Sequence, residues 1–576
     1  MGDGGRSMVE SGRRYTPPRR LGGAVVIAIV LVSHATYVAN GFAWLDHGDV
    51  VGGRALLPPS AWPAAFGGAF ADTGFYRPLM TLSLSVDQAL YGDAAWGFHL
   101  TNVLLHAGVV AAFGWVLAGP AGWDGRSAWV AMLLAGVHPL SWLPVGAISY
   151  RADLLAPLFL FLALGSYAGV RGRSRWSWRH AALAASAAAA VLSKETALVW
   201  IPATLLAWEV RWARASTEPS PDRRGPRRAW AVTGLVLLGT LLARSVAVPG
   251  VWRPDAAPLS IAEAVGTRLG ALARQVEHLV DPTVPVLSDA TWITALSAGA
   301  VIGGLVLIGL ILGAIRWRGT DAGWICAFLV IALAPSLNLV PLPRFTSPHY
   351  GYLAAFGGAM AVTAALFRLK ASIVRPVAWV AVAVWAAAAT ASTFAGGSRF
   401  ADDESLFGPA VAEDDRFLEG HHYLGEAARQ ADELARADAH LSAALRFRDD
   451  TLAYVDWVAA TVSLAGVRLE QNRLDEAEEL LRRAESGAPP PTSLEIVYNR
   501  GLVAARRGDA RGVVALLEPE AWDRPEPVLL LARSLAALGR RREAVTALRR
   551  ALPMLEEAQR SHVVGMIQGL QQEDEP

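Results

Sequence analysis

The chain has 576 residues, of which 53% are hydrophobic, and its mean hydropathy of +0.32 is too high for a soluble globular protein of this size. Its 52 basic and 51 acidic residues almost cancel, so the overall charge predicts no nucleic-acid partner. The single cysteine, Cys326, excludes a disulfide framework and a multi-thiolate metal site. We therefore expect a multi-pass membrane protein.

The amino terminus, residues 1–20, is rich in arginine and precedes an apolar stretch that begins at Leu21. A secretory signal peptide begins in the same way, but this stretch is long and no clear small-residue cleavage site follows it. We interpret it as an uncleaved first membrane helix with a cytoplasmic basic start.

Apolar segments long enough to cross the bilayer need about 20 residues. We predict eleven spans within a membrane domain at 21–396, near residues 21–40, 98–118, 127–146, 153–170, 180–194, 196–211, 229–249, 293–315, 322–342, 350–368 and 375–396. The fifth and sixth segments could instead form one broken element, which would invert everything downstream.

The distribution of arginine and lysine favours eleven spans. With that number, every basic cluster falls on the cytoplasmic side of a bacterial inner membrane. The loops 41–97 and 250–292 and the whole carboxyl-terminal part then lie on the periplasmic, extracytoplasmic side. Segment 259–280 has apolar residues at helical spacing but is too polar to span. It is predicted as an amphipathic helix on the outer interface or, equally, as a cap over the bundle.

The soluble tail follows a linker at 397–414 and occupies residues 415–570. Alanines recur in it seven residues apart, in sets separated by multiples of roughly 34–40 residues. The pairs are Ala437 and Ala444, Ala477 and Ala484, and Ala544 and Ala551. This spacing resembles tetratricopeptide repeats of about four units, an α-solenoid that would bind a peptide or protein or be purely structural. The predicted fold class is all-α: a polytopic bundle followed by this solenoid.

Two carboxylates, Asp46 and Asp49, lie a few residues beyond the first predicted span. An acidic group there can meet a lipid headgroup on one side and a water-soluble acceptor on the other. An ordinary solvated turn is the alternative. Because His47 lies between them, a divalent metal is conceivable, but Asp-His-Gly-Asp is a weak signature and a metal is not favoured.

Further polar residues lie at span ends on the same predicted side. They are Tyr76, Arg77, Arg151, Asp153, Lys194, Glu195, Arg344, His349, Tyr350 and Tyr352. Basic groups in such a set could hold a phosphate while a carboxylate nearby acts as a base. Local interpretations stay open: Arg151 could pair with Asp153 or cap a helix. Lys194 and Glu195 could be a snorkelling pair, and Arg344 could only anchor the interface.

Several motifs resemble those of the transmembrane and tetratricopeptide-repeat O-mannosyltransferases. They are Phe75-Tyr-Arg-Pro-Leu-Met-Thr-Leu-Ser-Leu84, Trp96-Gly-Phe-His-Leu-Thr-Asn-Val-Leu-Leu-His106, Val137-His-Pro139, Tyr150-Arg-Ala-Asp-Leu-Leu155 and Leu192-Ser-Lys-Glu-Thr196. The repeat-bearing tail matches the family layout. The chain departs from the family pattern where Leu45 replaces the first of two adjacent aspartates, and where Ser141-Trp-Leu143 lacks an acid. It departs again at Pro348-His-Tyr-Gly-Tyr352, which keeps the two tyrosines of the family motif but lacks its acidic residue and its arginine.

The resemblance implies a type-C glycosyltransferase fold, a polyprenyl-phosphate-linked sugar donor and transfer with inversion to a hydroxyl at the outer face. Our hypothesis makes Asp46 the general base, with Asp49 as the alternative base or an acceptor-orienting group. Arg151, Lys194 or Arg344 would stabilise the departing lipid phosphate.

Tyr76 and Arg77 would order the first outer loop, and the repeats would present a protein acceptor. The remaining residues of the set above would order the outer loops or bind substrate. Two other functions stay open, a non-enzymatic scaffold whose repeats recruit envelope proteins and a ligase or polymerase of lipid-linked glycans.

Overall fold

The computed structural model describes residues 20–171, 175–215, 224–249, 259–340, 342–370, 373–446, 450–486 and 490–572. Nearly all of the basic amino terminus and parts of the predicted loops 211–228 and 250–292 therefore lie outside the described residues. The described chain is built from helices, with two strands of two residues each, β1 (Thr291–Trp292) and β2 (Thr451–Leu452). The predicted all-α class is confirmed.

The chain divides into two compact units, one made of Met1–Leu287 with Thr291–Leu406 and the other of Ser288–Ala290 with Phe407–Pro576. The helices of the first unit are α1 (Arg20–Ser33), α2 (Pro78–Tyr91), α3 (Ala95–Ala118), α4 (Gly125–Gly136), α5 (Trp142–Gly146), α6 (Ala152–Arg171), α7 (Trp178–Ser193), α8 (Ala197–Ala215), α9 (Arg224–Ala247), α10 (Ile261–Val280), α11 (Ala298–Arg316), α12 (Asp321–Leu333), α13 (Tyr352–Arg368) and α14 (Val374–Gly397).

Helices lie at all eleven segments that the sequence predicts as spans. Within the described ranges, six helical stretches are long and apolar enough to cross a bilayer, or seven if α4 and α5, bent by 54° at His138, count as one. They include α3, α6, α9, α11, α13 and α14. The others are shorter, as in α1 with 14 residues and α7 with 16, or carry three charges, as in α8. The protein is thus a multi-pass membrane protein, and the number eleven stays a prediction.

Two local predictions can be compared with this bundle. The fifth and sixth segments are two helices, since α7 ends at Ser193 and α8 begins at Ala197, and the alternative in which they form one broken element stays a prediction. Segment 259–280 is helical, as predicted, and begins with a reciprocal cap between Ser260 and Glu263. Its Gln275 is buried and donates to the Ser347 carbonyl (2.9 Å), whereas Ile261 at the start of the helix is exposed.

The second unit is an array of helix pairs that pack in chain order. After α15 (Asp403–Glu413), which starts at the end of the first unit, come α16 (Leu418–Gln430), α17 (Leu434–Ala444), α18 (Trp457–Glu470), α19 (Leu474–Glu485), α20 (Pro490–Arg506), α21 (Ala510–Leu517), α22 (Pro525–Ala537), α23 (Arg541–Ala551) and α24 (Glu557–Gln572). α15 fills most of the predicted linker 397–414, and the bounds of that linker stay a prediction.

The repeated alanines of the tail lie where the second helix of a pair meets its neighbours. All six, two each on α17, α19 and α23, are completely buried. The turn inside each pair contains one residue with positive φ: Asp432, Asn472, Gly508 and Gly539. Glycine, asparagine and aspartate tolerate this conformation best. The repeat unit is thus a helix pair, and its assignment to the tetratricopeptide type stays a prediction.

Candidate active site

The carboxylates Asp46 and Asp49 lie in a tight turn that follows the first helix. Trp44 has φ of +60°, which is unfavourable for a residue with a bulky side chain. Residues His47–Val51 form a single π-helical turn, an element that is rare and often marks functional sites. The backbone conformation is therefore irregular on both sides of Asp46 and around Asp49, which a solvated surface turn would not require.

Asp46 is not solvated, since only 1% of its surface is exposed. Its Oδ1 accepts from the Ser149 amide (2.8 Å) and the Ser149 hydroxyl (2.7 Å), and Oδ2 accepts from the Ile148 amide (3.2 Å). Burial raises the pKa of this carboxyl to about 7, although the bonds from Ser149 and Ile148 act in the opposite direction. At neutral pH the group can therefore both accept and release a proton.

Asp49 lies beside the surface. Its Oδ1 accepts from Arg54 Nη2 at 3.2 Å, and the Arg54 side chain is half exposed. Burial raises the pKa of Asp49, and the positive charge of Arg54 opposes that rise. Because Arg54 covers one oxygen of Asp49, the arginine can screen the site from solvent or yield to a substrate.

A third aspartate, Asp403, holds the turn from the far end of the unit. Its Oδ1 accepts from the strained Trp44 amide (2.6 Å), and its Oδ2 lies 3.0 Å from His47 Nε2. This hydrogen bond raises the pKa of His47. Sequence reasoning missed Asp403, because it is more than 350 positions from Trp44 and looked like part of a linker.

The Tyr-Arg-Pro motif docks onto the Lys-Glu motif. Glu195 Oε1 accepts from the Tyr76 amide (2.8 Å), and its Oε2 accepts from Arg77 Nε (3.1 Å). The Tyr76 hydroxyl donates to the Phe66 carbonyl (3.1 Å), while the Arg77 guanidinium lies over the Phe75 ring. The first outer loop is thereby fixed to the turn between α7 and α8.

Lys194 and Asp153 form a buried ion pair, with Nζ 2.5 Å from Oδ1. This geometry contradicts two local interpretations: Asp153 pairs with Lys194 rather than Arg151, and Lys194 does not pair with Glu195. Four residues after Asp153, Pro157 lacks the amide that would bond the Asp153 carbonyl in a regular helix.

Arg151 is placed differently from the prediction. Its guanidinium is completely buried and pairs with Asp87 Oδ2 at 2.6 Å. It also donates to Asn102 Oδ1 (2.7 Å), to the Ser83 hydroxyl and carbonyl, and to the Phe98 carbonyl. The prediction that Arg151 binds a donor phosphate does not fit this geometry, because protein groups already occupy its donors. The residue ties α2, α3 and α6 together.

An aromatic and basic cluster lies on the other side of the turn. The Arg344 guanidinium lies 4.8 Å from the centre of the Trp44 ring, and Trp44 lies beside Tyr150. The His349 ring contacts Tyr150 and Tyr350, with ring centres 4.5 Å and 4.3 Å away.

The charges near this cluster are mainly positive. Lys194, Arg344 and Arg77 all act electrostatically on the His349 ring. Three of the predicted cations therefore converge on one region, which Arg151 does not share.

Tyr352 points into the bundle instead. Its hydroxyl lies 2.8 Å from His106 Nδ1, and His106 Nε2 lies 2.9 Å from the Gly136 carbonyl. An imidazole that donates from Nε2 accepts at Nδ1, so the tyrosine donates. Tyr352 and His106 join α13 to α3 and α4.

The three groups considered as metal ligands have different partners: backbone amides for Asp46, Asp403 for His47 and Arg54 for Asp49. In the part of the chain that the structure describes, no three His, Cys, Asp or Glu side chains are grouped as metal ligands.

These features define a class: a membrane helix bundle with a buried carboxylate beside clustered cations at one end, joined to an array of helix pairs. No protein-family model matches the chain. It is 33% identical to the protein O-mannosyl-transferase TMTC2 of Homo sapiens over 165 residues, 26% of this chain and 19% of that relative. It is also 30% identical to Tmtc2 of Drosophila melanogaster over 198 residues, which is 30% of this chain and 20% of the relative. The resemblance that the motifs predict is confirmed, over about a fifth of each relative's length.

Among solved structures, the chain is similar to ArnT from Cupriavidus metallidurans, crystallised with undecaprenyl phosphate. The two are 14% identical, and the TM-score is 0.37 over 88% of this chain and 81% of the other.

Proposed function

We propose that the protein is a membrane glycosyltransferase. It moves a mannose-like hexose from a polyprenyl-phosphate donor to a hydroxyl of a protein acceptor at the outer face of the membrane, with inversion. The observation that carries this proposal is the buried Asp46 carboxylate, which Ser149 and Ile148 hold two residues after Trp44, the ring on which Arg344 lies. The similarity to protein O-mannosyl-transferases supports the class of reaction.

In this reaction the acceptor oxygen attacks the anomeric carbon as the bond from that carbon to the phosphate oxygen breaks. Asp46 takes the hydroxyl proton. A base is most effective when its pKa lies near the working pH, and the pKa of about 7 meets that condition. The three hydrogen bonds from Ser149 and Ile148 fix the carboxylate and leave capacity for one further donor.

The departing lipid phosphate is already a stable anion, so it needs positive charge rather than a proton. Arg344 and Lys194 supply that charge in our proposal, and Arg77 lies near them. Lys194 is held by Asp153, so a phosphate has to share this lysine with a carboxylate. The contact of Arg344 with the face of the Trp44 ring places this charge beside the turn that bears Asp46.

Asp49 has a different role in the proposal. Its pairing with Arg54 at the half-exposed rim suits a group that orients the acceptor. It stays the alternative base. Tyr76, Arg77 and Glu195 fix the loop that bears both carboxylates. His349 and Tyr350 line the donor side in this proposal, and Tyr352 supports it from inside the bundle through its bond to His106.

The helix-pair array would present the acceptor on the extracytoplasmic side. Its repeated units expose a long surface, as arrays that bind extended peptides do. No metal is required by these steps, and the donor lipid supplies the activated sugar.

The test is sugar transfer by the full chain in proteoliposomes, from a polyprenyl-phosphate-linked mannose to a Ser- and Thr-rich acceptor peptide. Asp46→Asn should lower kcat about 10²–10⁴-fold. Asp93→Asn, an exposed aspartate of the same predicted loop, is the matched control and should retain activity.

Three outcomes would contradict the proposal in different ways. Undiminished transfer by Asp46→Asn together with loss in Asp49→Asn would move the base to Asp49. Transfer only from an oligosaccharide donor would indicate a ligase or polymerase. Absence of any transfer, combined with a cellular defect that follows deletion of the array but not Asp46→Asn, would indicate a scaffold.

A further inference from the structure

A cavity lies at the end of the bundle opposite the carboxylate site. Its volume is about 430 Å³, and it is lined by Trp115, Pro120, Gly165, Ser166, Ala168, Gly169, Trp178, Arg179 and Trp212. α6 runs from the carboxylate site to this cavity over 20 residues. At 1.5 Å per residue the two sites are roughly 30 Å apart. The distribution of basic residues predicts this end to be cytoplasmic.

Two glycines of α6 shape the cavity. A Cβ at Gly165 would collide with the Trp115 ring, and one at Gly169 would lie 2.8 Å from Arg179 Nη1. The bare backbone therefore lets a tryptophan from α3 and an arginine from α7 lie flat against α6. Gly165 and Gly169 are four residues apart and share one face of the helix.

Arg179 differs from two neighbouring arginines at this end of the bundle, Arg171 and Arg211. Arg171 Nε pairs with Glu209 at 2.8 Å, and Arg211 Nη2 pairs with Asp321 at 2.6 Å. Within the described ranges, Arg179 has no carboxylate partner. Its contacts are a long hydrogen bond to the Gly169 carbonyl (3.4 Å) and the neighbouring Trp178 ring. Among the described residues, no acidic side chain pairs with the positive charge that Arg179 brings to the cavity.

The rest of the lining is aromatic. Trp178 is 74% exposed and Trp115 is 49% exposed, and both lie at helix ends. Tryptophans at such positions mark the interface between lipid and water. α3 and α6, which end here, are among the candidate membrane spans. A ligand that suits this lining has an anionic head for Arg179 and apolar carbon for the indole rings.

We propose that this cavity binds one anionic glycerophospholipid, with its phosphate on Arg179 and its first methylenes against Trp115 and Trp178. The cavity volume suits a headgroup and the start of an acyl chain rather than a complete lipid. Charge complementarity selects an anionic lipid over a zwitterionic one. The site is separate from the proposed donor site at the other end of α6.

The experiment measures lipid retention by the full chain in neutral detergent. Protein is incubated with equal amounts of phosphatidylglycerol and phosphatidylcholine, and bound lipid is counted by native mass spectrometry. The wild type should retain one phosphatidylglycerol in preference to phosphatidylcholine. Arg179→Gln should weaken that binding about fivefold to tenfold, because a charge-assisted contact to phosphate is lost.

Two variants provide the comparison. Arg175→Gln removes an exposed arginine that does not line the cavity and should bind phosphatidylglycerol as the wild type does. Arg179→Lys keeps the charge and should retain more binding than Arg179→Gln. Melting temperatures without added lipid show that each variant is folded.

The proposal is overturned if Arg179→Gln binds phosphatidylglycerol like the wild type, or if Arg175→Gln loses as much. It is also overturned if phosphatidylcholine binds equally well, or if inorganic phosphate alone displaces the lipid at comparable concentration. The readout is independent of sugar transfer, so failure of the proposed reaction would leave it intact.

Discussion

Ion pairs in the two units of the chain differ in how deeply they are buried. In the membrane unit, Arg151 and Asp87 pair at 2.6 Å with almost no exposure, and Lys194 and Asp153 are nearly as buried. In the helix-pair array, a typical pair such as Arg500 and Glu478 is about one quarter exposed. Transfer of a charge out of water costs several kcal/mol, whereas a surface pair costs little to form and contributes little. The buried pairs therefore mark places where the fold depends on one arrangement.

Breaking the Arg151–Asp87 pair should have the largest effect on stability. Asp87→Asn leaves the guanidinium buried without its counter-ion, at a cost of roughly 3–5 kcal/mol. We expect a clear fall in the melting temperature of the full chain in detergent. Asp93→Asn, on the same loop but exposed, should melt like the wild type. An unchanged melting temperature in Asp87→Asn would show that Asn102, Ser83 and Phe98 hold Arg151 without the aspartate.

Acidification should lower the rate of transfer through Asp46 without unfolding the membrane unit. Asp46 must be deprotonated to act as a base, and its pKa is about 7. Transfer should therefore fall roughly tenfold per pH unit below about pH 6. Because the folded state binds this proton more tightly than the unfolded chain, protonation of Asp46 favours folding between pH 7 and 4. Lost activity with a melting temperature that holds or rises would support this assignment, and a flat activity profile down to pH 5 would contradict it.

Removing Asp403 should have a smaller effect on rate. Asp403→Asn weakens the hydrogen bonds to the Trp44 amide and to His47. We expect kcat to fall about tenfold, with little change in the KM for the donor. Since Asp403 raises the pKa of His47, any alkaline limb that His47 causes should move to lower pH in this variant. The neighbouring exposed Asp402→Asn is the control. Equal losses in both variants would indicate general disruption of the segment.

Loss of an ion pair in the helix-pair array should have the smallest effect on stability. Glu478→Gln removes the partner of Arg500, whose side chain also lies near Glu485. We expect destabilisation of less than about 1 kcal/mol, measured as the melting temperature of the full chain. An effect as large as that of Asp87→Asn would remove the distinction between the two units.

Local periodicity was sufficient to predict much of this fold. Helices lie at each predicted span because apolar length and helical geometry are properties of adjacent residues. The alanine pairs of the tail predicted buried contacts for the same reason, and all six are buried.

The partners within the site were much harder to predict. Arg151 looked like a phosphate ligand because its counter-ion, Asp87, lies on a helix within what the sequence presents as a loop. The sequence also gave no indication that the carboxylate turn would contact Ser149, Arg54 and Asp403. Contacts between residues that are far apart in the sequence depend on tertiary packing. Helical periodicity, which relates only neighbouring residues, does not predict them. The motif containing Tyr76 and Arg77 gave a better indication, and the structure joins it to Glu195.

The backbone of Trp44 has an evolutionary consequence. Its left-handed conformation costs roughly 1–2 kcal/mol for a residue other than glycine. Glycine at this position would relieve that cost and delete the indole between Tyr150 and Arg344. Because Trp44 is almost fully buried, loss of its side chain would leave a cavity that costs about 3–5 kcal/mol, more than the strain relieved. Selection for stability and selection for function therefore both retain a tryptophan in this left-handed position.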